Sequence, residues 1–88
     1  MKVKEGFILR EVADSFVIVA VGEASLHFKG VIKVNETGAF LFKELEKGNF
    51  DSEDLAKKLT DKYNVDINTA KEDVDAFIKS LKNGKIIE

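Results

Sequence analysis

The first 34 residues and the remainder of the chain carry two different hydrophobic periods. Phe7, Ile8, Leu9 and Val12, then Phe16, Val17, Ile18, Val19 and Val21, are β-branched or large apolar residues on either side of a short polar break at Ala13, Asp14 and Ser15. Such runs read as strands, and the spacing predicts an antiparallel hairpin, roughly Gly6–Val12 with Ser15–Val21. The second strand is apolar at both parities, with Phe16 and Ile18 on one face and Val17, Val19 and Val21 on the other. One face is therefore expected to meet the helices and the other a partner enzyme or a second copy of the chain. A looser segment, Gly22–Lys29, leads through Gly30 into a third short strand, Val31–Val34.

From Asn35 onward the period is that of helices. Asn35, Asp51 and Asp66 each precede an apolar-periodic segment, and each has a short side-chain oxygen able to accept from the free N–H groups of a first helical turn. Around Asp51, Phe50 and Leu55 have the spacing of a hydrophobic staple, and Asp54 stands where a capping box needs an acceptor. The middle helix presents Leu55, Leu59 and Tyr63 as one stripe and is expected to end near Asn64. The last presents Ala70, Val74, Phe77, Ile78 and Leu81, then Asn83 and Gly84 as a left-handed stop, after which Ile86 and Ile87 fold back onto the core. The first carries Phe40, Leu41 and Leu45, with Phe42 shared between core and surface. Strands followed by helices predict an α+β domain, three helices stacked on one face of a three-stranded antiparallel sheet.

Composition narrows what such a domain can do. A chain of 88 residues buries only roughly 60% of its unfolded surface, so most apolar side chains are committed to one core and little remains for an enzyme cavity. Fourteen basic residues face sixteen acidic ones, for a net charge of −2, which gives no attraction for nucleic acid or an anionic membrane. There is no cysteine, no apolar signal core and no stretch long enough to span a bilayer, so a cytoplasmic location is expected. His27 is the one histidine, with no nucleophile in an elbow nearby, and reads as a loop residue. The acidic cluster Asp51, Glu53 and Asp54 is accounted for by capping and the helix dipole. Neither catalysis nor a cofactor is expected.

Gly38, in the first turn after Asn35, is too isolated for a phosphate loop and reads as a close-packing position at a rigid strand-to-helix corner. The last two helices also have helix-turn-helix spacing. However, the last carries Lys71, Lys79 and Lys82 against Asp66, Glu72, Asp73 and Asp75, a balance that phosphate would repel.

The stretches "GEASLHFKGVIK", "VNETGAFLFKEL", "DSEDLAKKLTDKYNVD" and "DVDAFIKSLKNGKIIE" resemble the PqqD family, the pyrroloquinoline quinone biosynthesis protein D family of peptide chaperones. The resemblance runs from "EGFILREV" to the terminal "GKIIE", and its core is an Asn-x-Thr-Gly-x-x-x-aromatic-x-x-Leu pattern at Asn35, Thr37, Gly38, Phe42 and Leu45. It implies a winged helix-turn-helix without DNA binding. In that family the leader of a ribosomally made precursor peptide adds as a strand beside the third β-strand, in a groove bordered by the third helix. The peptide is then presented to a modifying enzyme, often a radical S-adenosylmethionine protein. Carried onto this chain, the edge is Gly30, Val31, Ile32, Lys33 and Val34, and the helix wall comes from Lys71, Val74, Asp75 and Ile78. Two alternatives stay open: a structural or homodimerising domain that binds no peptide, and a winged-helix DNA binder.

Overall fold

The structure is a computed structural model and describes residues 1–28 and 30–87. Lys29, the last residue of the looser segment before the third strand, and Glu88 lie outside the described residues. Strands β1 (Phe7–Val12) and β2 (Ser15–Ala20) pair antiparallel with Val12 opposite Ser15, leaving Ala13 and Asp14 as the turn. Ala13 takes a left-handed φ of 56° to close it. Strand β3 (Val31–Val34) pairs antiparallel with β2, giving the order β1-β2-β3 with β3 at an edge. The segment between β2 and β3 is more regular than its sequence indicated: Gly22–Leu26 forms a short 3-10 helix. Gly6, at φ 93°, lets it approach, because a Cβ there would stand 2.6 Å from the Ala24 Cβ.

Three helices follow: α1 (Glu36–Glu46), α2 (Ser52–Lys62) and α3 (Ile67–Asn83). All three anticipated caps form. Asn35 accepts from the Gly38 N–H, Asp51 from that of Asp54, and Asp66 from that of Thr69, at 2.8, 2.8 and 2.9 Å. Asp54 accepts in return from the Asp51 N–H, completing a capping box around α2. The helices lie on one face of the sheet and meet Phe7, Leu9, Ile18, Ala20, Ile32 and Val34 there, while Leu41, Phe42, Leu45, Leu55, Leu59, Val74 and Leu81 fill the interior.

Two sequence expectations are corrected. Phe42 is fully buried; the side chain shared with the surface is Phe40, which stacks edge-on against Tyr63 at 5.8 Å. Burial, with the Glu36 charge adding to it, pushes that tyrosine's phenol above its ordinary range. Gly84 is not the left-handed stop, since its φ is −83° and the turn falls one residue later, on Lys85 at 57°. Gly84 is small for a different reason: a Cβ there would lie 2.8 Å from the Ile32 Cδ1. The chain then folds back as anticipated, with Ile86 and Ile87 buried and Ile87 bridged to Val3. Among the described residues no helix is long and apolar enough to cross a membrane.

Candidate functional site

The outer side of β3 leaves the backbone groups of a sheet edge unpaired next to a helix wall of mixed polarity. Two close approaches build it. At the β3-to-α1 corner, the Asn35 carboxamide oxygen accepts from both the Gly38 N–H at 2.8 Å and the Thr37 hydroxyl at 2.9 Å, which fixes the direction in which α1 leaves the strand. Gly38 then brings the helix backbone down onto the strand. A Cβ there would stand 3.0 Å from the Val34 Cβ and 3.4 Å from the Phe77 Cδ1. At the other end, Gly84 lets the end of α3 close on Ile32. The Asn-x-Thr-Gly pattern is thus the chemistry of a rigid corner, with Phe42 and Leu45 anchoring α1 in the core.

Between β3 and α3 lies an open cleft of about 210 Å³. Its floor and strand side are Val34, Asn35, Thr37, Gly38 and Leu41, with Lys33 at its border, and its far wall is Asp73, Ala76, Phe77 and Ser80. The wall residues follow an i, i+3, i+4, i+7 spacing, which places them along one flank of α3. Among the described residues neither Lys33 nor Asp73 has an ion-pair partner, the one such pair being Lys47 with Glu44.

Four of the five anticipated edge residues form β3. Val31 and Lys33 are exposed, whereas Ile32 and Val34 are half-buried against the core. Gly30 is not part of the strand; at φ 101° it forms the bend that leads into it. The anticipated helix residues are not at the cleft. Val74 and Ile78 are buried in the core, and Lys71 and Asp75 are exposed without lining it. Both flanks of the stripe formed by Ala70, Val74, Phe77 and Leu81 are consistent with a helical wheel, and only the tertiary arrangement, which sets one of them across the cleft from β3, selects Asp73, Ala76 and Ser80. An available signal was Ala76, a small exposed residue next to the core Phe77. His27 is exposed and lines a separate cleft with Glu5 and Glu23. Among the described residues no group of three or more His, Cys, Asp or Glu side chains could hold a metal.

Similarity to solved structures follows the same architecture. The chain superposes on "TbiB1 in Complex with the TbiA(beta) Leader Peptide" with a TM-score of 0.74 at 20% identity, covering 100% of this chain and 95% of that one. It superposes on "Lasso peptide synthetase B1 complexed with the leader peptide" with a TM-score of 0.67 at 24% identity, covering 94% and 92%. At these identities the likeness establishes the fold: a winged helix-turn-helix-like three-stranded sheet followed by three helices. No curated protein sequence matches the chain. The family described as Coenzyme PQQ synthesis protein D (PqqD) matches residues 17–87, from β2 through the corner and the α3 wall to the folded-back end, leaving β1 outside the match. With the strand edge, the corner and the wall all inside that span, the chain belongs to the PqqD family.

Proposed function

We propose that this protein is a non-catalytic recognition domain that takes the leader of a ribosomally made precursor peptide as a fourth strand on β3 and presents it to a modifying enzyme of the radical S-adenosylmethionine class. The observation that carries the reading is the unpaired β3 edge beside the cleft walled by Asp73, Ala76, Phe77 and Ser80. Strand addition needs free backbone donors and acceptors for affinity and pockets beside the added side chains for selectivity, and this edge offers the first along β3 and one such cleft at Val34. Family membership supports the reading, as does the fact that the two solved neighbours hold leader peptides. The helix wall belongs to the Asp73–Ser80 flank of α3.

A strand of about five residues on such an edge is expected to bind with micromolar affinity, about −8 kcal/mol, after the ordering of a flexible leader is subtracted. The test is an amide chemical-shift titration of the isotope-labelled protein with leader peptides from small open reading frames beside its gene. Shifts and exchange protection concentrated in Val31–Val34, with side-chain shifts at Ala76 and Phe77, are the expected result. A folded protein whose responses to such peptides fall on β1, or nowhere, overturns the reading.

A further inference from the structure

An added strand has two faces, and the structure provides different chemistry for each. On the helix side, the cleft has an apolar part at Val34, Leu41, Ala76 and Phe77, bordered by the polar Asp73 and Ser80, and its volume of about 210 Å³ suits one large apolar side chain. On the other side, the cross-strand rows of the sheet's outer face are Ile8, Val19 and Val31, then Arg10, Val17 and Lys33, then Val12 and Ser15. None of the strand residues on that face is acidic, although acidic residues outnumber basic ones in the chain. Lys33, exposed at the edge of the cationic row, has no ion-pair partner among the described residues. A residue placed directly opposite it on a new neighbouring strand would have its Cβ about 5 Å from that of Lys33. The charges of that face are all of one sign, so a second copy stacked on it would offer Arg10 and Lys33 no carboxylate.

We infer that the leader segment captured here alternates, with apolar residues on the helix side, one of them large and seated in the cleft, and a carboxylate facing outward opposite Lys33. The inference rests on the strand-addition reading above and adds the residue chemistry that the edge selects. Parity is set by the cleft: a one-residue slip would turn the apolar residues to solvent and set the carboxylate against Phe77 and the like charge of Asp73.

The probes are three synthetic heptapeptides of sequence Thr-Leu-X-Leu-X-Leu-Thr with X as Glu, Gln or Lys; the repeat of two makes the outcome insensitive to register slips of two residues. Dissociation constants come from amide-shift titrations of the wild-type chain and of Lys33→Glu. The Glu peptide is expected to bind the wild type about three- to tenfold more tightly than the Lys peptide, with Gln between them. Lys33→Glu inverts that order and leaves the Gln peptide within about twofold of its wild-type affinity, and Lys33→Gln flattens the preference. Equal binding of all three peptides to the wild type, or one unchanged order in wild type and Lys33→Glu, overturns the inference while strand addition stands. Failure of every peptide to perturb Val31–Val34 in the folded protein overturns both.

Discussion

The two edges of the sheet are built from the same backbone groups, yet their surroundings give them opposite roles. β1 is the longer edge, and its outer half carries Arg10 on one face and Glu11 on the other, both exposed, ending in the exposed Val12. A strand arriving there would meet a charge on each side. β3 has only four residues and one charge, Lys33, on the outer face, while its inner neighbours are the apolar Ile32 and Val34. Across a cleft from it stands a helix wall, whereas the segment that leads into β1 is tied to the chain end by the Lys4 N–H donating to the Ile86 carbonyl at 2.8 Å. Edge strands are protected against unwanted pairing by charge, shortness and cover. Here one edge is guarded on both faces and the other is guarded on one and left open toward a cleft, so the difference between protection and use rests on a few side chains.

Substitutions at the two edges should respond accordingly. The largest effect is expected for Gly38→Val, which forces a branched side chain into the 3.0 Å approach to Val34 and the 3.4 Å approach to Phe77. Overpacking there should cost about 2–3 kcal/mol in urea unfolding, whereas Glu11→Val on the exposed β1 edge should stay within about 0.5 kcal/mol. A large loss at Glu11 with none at Gly38 would reverse the comparison. Next comes Ala76→Trp. This exposed position on the cleft wall accepts a large side chain without disturbing the core, and filling the cleft should weaken leader binding at least about tenfold, or ~1.4 kcal/mol, with the circular dichroism spectrum unchanged. Glu11→Trp on the other edge should leave that affinity unaltered. The smallest effects concern the end of α3, where Gly84→Ala and Lys85→Gly should have opposite signs. The first drives a Cβ to 2.8 Å from Ile32 and should cost about 1 kcal/mol, shifting Ile32 methyl resonances. The second relieves a side chain at φ 57° and should gain about 0.5 kcal/mol after the extra chain entropy of glycine. Equal signs would place the left-handed turn back on Gly84.

Features that depend on a few adjacent residues are legible in the amino-acid sequence. The caps at Asn35, Asp51 and Asp66 form because a short acceptor and the first free N–H groups of its own helix lie within one turn of each other. The β1–β2 hairpin is local in the same sense. The close-packing role of Gly38 is readable as well, since strand, cap and glycine are contiguous. Legibility fails where two distant segments have to meet. Phe40 and Phe42 differ by two positions on α1, about 200° apart, and whether one or the other is exposed depends on where Tyr63 of the neighbouring segment sits. Gly84 resembles a turn glycine because a turn does follow. Its actual constraint comes from Ile32, more than fifty residues earlier in the chain.

For the candidate site the same division holds. Contiguous residues and their periods suffice for the element order, the family resemblance, the short unprotected strand Val31–Val34 and the corner that orients it. Three-dimensional packing was needed to choose which flank of α3 faces that strand, and so assigned the wall to Asp73, Ala76, Phe77 and Ser80 and not to Lys71, Val74, Asp75 and Ile78. A helical period locates the buried stripe but is symmetric about it. That symmetry is broken by tertiary approaches, Gly38 of α1 to Phe77 of α3 at one end and Gly84 to Ile32 of β3 at the other, between segments that no local pattern connects.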